Sequence, residues 1–298
     1  MPKLHHYWLP LVIFALVGCK GSNSGGTTPG PLPEEFANPQ RVTILGYTDH
    51  AMEPALSRDG QYLFFNNSNA ADANTNLHWA VRVDDLTFQY RGEIGGVNTT
   101  DLEGVPSMDR NNEFYFVSNR SYVTTLSTLY RGTFTSGTIS GVELVPGVSA
   151  LVLGMVNFDA DISPDGNTLY FVDGLFDFPN PVPLTADILI AERSGVGADF
   201  VHVANGADIM RQINTNALEY APAISTSGLE IFFTRVEGST FAIYASTRPN
   251  TSAPFDTPKK IQAITGFVEA PTLSVDEKSL YYHKNENGLF VIYRVTRP

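Results

Sequence analysis

DADISPDGNTLYF, from Asp159 to Phe171, is the stretch on which the fold turns. An alternating run leads into Ser163, Asp165-Gly166 follows, and Leu169-Tyr170-Phe171 is then apolar on both faces. Asp at such a place bonds its own local backbone, and Gly supplies the positive φ of a tight turn. The stretch reads as a β-hairpin whose second strand is sandwiched between neighbouring sheets.

The pattern recurs along the chain. EPALSRDGQYLFF starts at Glu53, EGVPSMDRNNEFYF at Glu103, EYAPAISTSGLEIFF at Glu219 and EAPTLSVDEKSLYY at Glu269. Aligned on Ser57, Ser107, Ser163, Ser225 and Ser274, the copies are spaced by 50, 56, 62 and 49 residues. Strand-length runs follow each hairpin: LHWAVR from Leu77, TLYRGTF from Thr128, DILIAER from Asp187, AIYAST from Ala242 and VIYRVT from Val291. Units two and five lack the Asp-Gly or Ser-Gly pair, so their turns are expected to be longer or differently shaped. A period near 50 residues with four strands per unit is that of propeller blades. The expectation is an all-β, five-bladed β-propeller of four-stranded antiparallel blades over residues 41–298, with repeats at about 53, 103, 159, 219 and 269. The fifth unit supplies only three strands, and Arg41-Val42-Thr43-Ile44-Leu45 is available as the fourth. Closure by that N-terminal strand would remove an exposed sheet edge.

Composition agrees with a folded, turn-rich chain. Apolar residues make up 43% and charged residues 17%, which excludes a wholly disordered protein. The formal charge of −12 repels nucleic acid and anionic lipid.

The N-terminus reads as an address. Lys3 precedes an apolar run from Tyr7 to Val17, too short to span a bilayer but suited to a secretory signal. It ends in Leu16-Val17-Gly18-Cys19, which resembles the lipobox of bacterial lipoproteins and implies cleavage after residue 18 and lipidation of Cys19. Residues 19–40 then form a Gly/Ser/Pro tether. Cys19 is the single cysteine, so lipidation leaves no disulfide or thiol chemistry. The implied location is the cell envelope, at the outer membrane and facing the periplasm or the cell surface, with membrane contact through the anchor only.

The Ser-Asp-Gly-aromatic pattern, the Glu and Pro before it and the later Ile-Tyr strand resemble the TolB-type, WD-like β-propeller repeat family. The resemblance runs from about Arg41 to the C-terminus. It implies a monomeric, non-enzymatic protein whose propeller face binds an envelope protein, a peptide or a glycan.

Residues just before each first strand would lie at one mouth of the central channel. That geometry gathers Glu53, Glu103, Asp159 (or Asp161), Glu219 and Glu269. Five carboxylates there could bind a cation, a basic peptide or sugar hydroxyls. The favoured reading is structural: they accept backbone N–H bonds from the next unit or pair with Arg120 or Arg235, since buried carboxylates also collect in structural networks. The connection Asp173 to Ala186 reaches the same face and carries Phe176 and Phe178 among three prolines, an apolar ledge beside the acids. Asn205 to Asn216 is a second long connection. Asp161 to Gly166 looks like the start of a calcium loop, but Val172 stands where the closing Glu is needed. His50, His78, His202 and His283 are scattered without metal-ligand spacing. No nucleophile elbow or phosphate loop occurs, so no catalytic residue, metal or cofactor is expected. The rival class is a glycosidase or polysaccharide lyase with carboxylates at the channel mouth. It would need particular acids at a suitable separation, not the same acid repeated in every blade.

Overall fold

The computed structural model describes residues 35–70, 74–178 and 180–298. The expected signal segment, Cys19 and most of the expected tether lie outside them. Two short strands, β1 (Ala37–Arg41) and β2 (Thr43–Leu45), precede the repeats. Each repeat then folds as an antiparallel meander. The first contains β3 (Met52–Leu56), β4 (Tyr62–Asn66), β5 (Leu77–Arg82) and β6 (Thr87–Glu93). The second contains β7 (Glu103–Met108), β8 (Glu113–Ser118), β9 (Leu129–Thr135) and β10 (Thr138–Leu144). The third contains β11 (Met155–Ile162), β12 (Thr168–Leu175), β13 (Thr185–Glu192) and β14 (Val201–His202). The fourth contains β15 (Leu218–Ile224), β16 (Glu230–Glu237), β17 (Thr240–Thr247) and β18 (Lys259–Lys260). The fifth has β19 (Val268–Leu273), β20 (Ser279–Glu286) and β21 (Leu289–Thr296). Third and fourth units are joined by one parallel bridge, Ala186 to Leu218. First strands lie side by side in the order β3, β7, β11, β15, β19, and β19 packs on β3 in turn. The described helices are single turns, α1 (Tyr122–Thr125) and α2 (Gly206–Ile209). The fold is therefore nearly all β.

The strand beside β21 is not the one expected. β1, residues 37–41, pairs antiparallel with β21, Ala37 opposite Thr296 and Arg41 opposite Tyr293. Residues 43–45 instead run parallel to β6 at the rim of the first unit, Thr43 opposite Thr87. Val42, buried between the two strands, donates its N–H to Ile292 O at 2.9 Å and marks the crossing point. Phe36 packs edge-on at 5.6 Å on Phe232 of the fourth unit.

The core is a stack of aromatic layers between units, such as Phe64 against Phe114 at 5.0 Å. The second to fifth residues of every second strand are buried, as their two-sided apolar runs require.

The turn column also differs from the serine alignment. Ser57, Ser163, Ser225 and Ser274 each accept, at Oγ, the N–H of the residue five positions on, at 2.9–3.0 Å. In the second unit Asp109 has this role, its Oδ1 accepting from Asn111 at 2.7 Å and Glu113 at 2.8 Å. Ser107 lies two residues upstream, where it bridges to Asp161. A carboxylate serves as well as a hydroxyl in such a local turn, which hides the shift. Three residues after each anchor stands a left-handed residue: Gly60, Asn112, Gly166, Gly228 and Glu277. The turns of units two and five are therefore not longer. Asn112 and Glu277 adopt the glycine conformation.

Candidate functional site

Re-registered on that column, the five acids occupy three different places. Glu53 and Asp159 lie four residues before the anchor, Glu269 five, and Glu103 and Glu219 six. The shared mouth of equivalent carboxylates expected from the repeats is thereby corrected: two acids are side-chain anchors and three form a cluster.

Glu103 and Glu219 are fully buried and fully partnered. Thr99 donates to Glu103 through its N–H at 2.6 Å and its hydroxyl at 2.8 Å, and Ser118 Oγ adds a third bond at 2.8 Å. Arg120 stands 3.1 Å away and reaches on to Val97 O. Thr215 treats Glu219 in the same manner, at 3.0 and 2.7 Å. Arg235 Nε donates to Glu219 at 2.7 Å, and its Nη2 holds Ile213 O at 2.8 Å. These acids fasten the connection that precedes each first strand.

Each first strand carries a bulge just before the anchor. Four of the bulges place a non-glycine residue at positive φ immediately before a proline: Glu53 at 49°, Val105 at 54°, Ala221 at 50° and Ala270 at 55°. Such a conformation costs free energy and persists only when its surroundings impose it. Here the N–H of each bulge residue is claimed by a neighbouring unit. Glu53 N–H donates to His283 Nδ1 at 3.0 Å, and Val105 N–H to Asn66 Oδ1 at 3.0 Å. Ala221 N–H donates to Asp159 Oδ2 at 3.1 Å, and Ala270 N–H to Thr234 Oγ1 at 3.0 Å. Pro54, Pro106, Pro222 and Pro271 then line an axial cavity of about 30 Å³, with Glu53 and Asp159 at its wall. That is room for about one water.

Glu53, Asp159 and Glu269 are all buried near this axis. Burial raises the pKa of Asp159 well above the ordinary carboxylate value, and the charges of Glu53 and Glu269 raise it further. Burial likewise raises that of Glu53; Glu269 adds to the effect, while His283 and a 2.6 Å bond from Asn69 Nδ2 oppose it. Glu269 accepts from the Tyr220 hydroxyl and, at 3.1 Å, from His283 Nε2. Burial disfavours a charged His283, but the Glu269 hydrogen bond and the Glu53 and Glu269 charges raise its pKa overall. Its Nδ1 accepts the Glu53 N–H in this geometry, so the ring is the neutral Nε2–H tautomer and a second proton would break that bond. Asp161 is a separate knot. Its carboxylate takes Arg58 at 2.8 Å, Ser107 Oγ at 2.8 Å and the Ile224 N–H at 2.9 Å, joining four units. Among the described residues no three His, Cys, Asp or Glu side chains stand together in metal-binding geometry.

Beside the cluster, at the end of the molecule where first strands begin, lies an exposed apolar edge. Phe176 and Phe178 stack at 5.7 Å, and Phe178 touches the buried Tyr122. The Tyr122 hydroxyl accepts Gly154 N–H at 2.8 Å and donates to Met155 O at 3.0 Å. Gly154 has φ +92°, and a Cβ there would sit 2.9 Å from Phe176 O, so glycine permits the close approach. The edge that results exposes Val123 by 90%, Leu151 by 61%, Leu153 by 75% and Phe178 by 55%. Val152 and Leu184 are exposed with them. Phe158 links the edge to the axis, in contact with Phe176 at 5.7 Å and Tyr220 at 5.8 Å. Sequence reasoning found the 176–184 connection but missed Val123 and Leu151 to Leu153, which look like core residues in a sequence. It also passed over His283 and Tyr220. The signal for His283 was positional: it is the fifth residue of its second strand, as Asn66 and Thr234 are of theirs.

No family model matches the chain, and no curated protein does. Solved structures share its fold at low identity. An endo-arabinase from Bacteroides thetaiotaomicron is 12% identical, with 87% of this chain and 98% of that one covered and a TM-score of 0.53. A family 117 glycoside hydrolase from Zobellia galactanivorans is 8% identical, covering 88% and 90%, also at 0.53. TolB from Acinetobacter baumannii is 16% identical at a TM-score of 0.46; 84% of this chain matches, and it spans 54% of that protein. The fold is that of a β-propeller.

Proposed function

We propose that this chain is a lipid-anchored envelope protein, a closed five-bladed propeller that binds a protein or peptide through the face carrying Phe178 and Leu153. The observation that carries this reading is the exposed apolar edge itself. Six large apolar side chains stand in solvent on short connections pinned to rigid sheets, and exposed patches of this kind mark interaction surfaces. Closure by β1 is supported by its pairing with β21 and by the cyclic order of the first strands. Lipidation rests on the Leu16-to-Cys19 box. Glycoside hydrolysis is disfavoured by the acids. Glu103 and Glu219 are consumed by Thr, Ser and Arg partners, and Glu53 and Asp159 line a space too small for a sugar ring.

The test is cross-linking in the native envelope followed by affinity capture, comparing the wild-type chain with Leu153→Asp/Phe178→Ser. Capture of a defined partner should fall at least tenfold while the melting temperature holds. Undiminished capture would refute the proposed face. Cys19→Ser should move the protein from the membrane fraction to the soluble fraction, and continued membrane partitioning would refute the anchor.

A further inference from the structure

A second surface lies far from the axial mouth. Between the first and second units, at the end where second strands begin, a groove of about 380 Å³ is lined by Gln61, Tyr62, Trp79, Val81, Arg91 and Ser136. Its volume falls within the range of about 300–1,000 Å³ typical of small-molecule sites.

Trp79 lines the groove, and it is closely packed. Gly137, in the β9–β10 turn at φ +90°, lies so close that a Cβ would sit 2.4 Å from the indole Cζ2. Tyr62 meets the indole edge-on at 5.6 Å and Phe134 at 5.9 Å. The indole is nonetheless only half-buried, as is Tyr62. A flat aromatic surface fixed in advance costs no side-chain ordering when a ligand stacks on it.

The groove also holds a cation. Acidic residues outnumber Lys and Arg by 31 to 19, and most arginines are engaged with carboxylates. Among the described residues, Arg91 takes part in no ion pair. It is exposed beside Gln61 and Ser136, which supply further donors and acceptors. The neighbouring backbone is already spent: Gly95 N–H donates to Gly137 O at 2.9 Å, and Ile139 N–H to Gly95 O at 2.8 Å. A peptide adding as a strand therefore finds its ladder partly occupied.

We infer that this groove is a subsite for an anionic sugar, a hexuronate unit of an acidic glycan. The C–H face of the ring stacks on Trp79, the carboxylate pairs with Arg91, and Gln61 and Ser136 bond hydroxyls. This inference does not rest on the partner-binding face, which lies at the other end of the sheets.

The test is calorimetric titration of the full chain in detergent with tri-galacturonate, and with the neutral galactose trimer as comparison. The wild-type chain should prefer the charged trimer about fivefold or more, less so at high salt. Arg91→Gln should abolish that preference and leave neutral binding in place, with an unchanged melting temperature. Trp79→Phe, which keeps the packing against Phe134, should weaken both trimers. No binding of either trimer at millimolar concentration would overturn the inference. Equal binding of the two by the wild-type chain, or a preference that survives Arg91→Gln, would overturn the role of the charge.

Discussion

Ala221 donates its backbone N–H to the carboxylate of Asp159, at 3.1 Å, across the boundary between the third and fourth units. In the other three of these backbone staples between units, the fifth residue of a second strand, an Asn, Thr or His, accepts the bond. Val172 is the fifth residue of β12, and Asp159 reaches over from the first strand instead. The bond needs only an acceptor, yet the side chain that supplies it is an acid buried near two others.

Asp159→Asn therefore predicts a gain in stability that depends on pH. The folded-state pKa of Asp159 lies above the unfolded value of about 3.9. The folded state then holds the proton more firmly, and stability falls as pH rises from about 4 towards neutrality. Asn keeps the acceptor for Ala221 and removes the titration. The variant should melt about 2–4 °C higher at pH 7, as about 1 kcal/mol produces in a domain of this size, and should show no advantage near pH 3.5. Calorimetry across that range checks it, and a gain of equal size at both pH values would contradict the assignment.

Glu219→Ala predicts the opposite sign. It strands Arg235, which is 8% exposed, and leaves the Thr215 N–H and hydroxyl without their acceptor. Breaking a buried pair from one side costs about 3–5 kcal/mol. Chemical denaturation should register a loss of that order, while Glu237→Ala, an exposed acid 4.0 Å from the same arginine, should cost under about 0.5 kcal/mol.

Thr234→Val conserves shape and removes the acceptor of the Ala270 N–H. A buried donor left unpaired costs about 1–3 kcal/mol. The same change at the exposed Thr133 should be nearly silent. Equal denaturation midpoints for the two variants would argue against the staple.

Removing residues 36–42 should cost about 3–6 kcal/mol from Phe36 and Val42 alone, at about 1.5–3 kcal/mol for each buried side chain. It also uncovers the edge of β21. Thermal melts of this truncation and of one lacking residues 21–34 should differ by well over 5 °C.

How far the sequence could be read depended on what each position must do. The hairpin of each unit is dictated by local chemistry, and its Ser, Asp and Gly announce it. The strand beside β21 was misplaced because all five residues of β1 are exposed and show no alternation, so the apolar residues of 42–45 drew attention instead. The acids misled for a different reason. Glu103 and Glu219 look like the same feature as Glu53 when aligned on the nearest serine, yet the first two fasten loops while Glu53 faces a neighbouring unit. The staples are invisible to a search for repeated letters, because His283, Asn66 and Thr234 share a geometric duty and nothing else. The exposed Leu151-Val152-Leu153 cannot be told from core until the fold shows which side faces water.

The pairing of Ala37 with Thr296 sets a schedule. The earliest strand of the domain waits for the last one to be synthesised, and until then both edges stand open. A chain still emerging from the ribosome therefore lacks the contact that adds the fourth strand to its last sheet. Contacts between such distant residues also form slowly. The order of the strands thus delays commitment to the native state until the whole polypeptide is available.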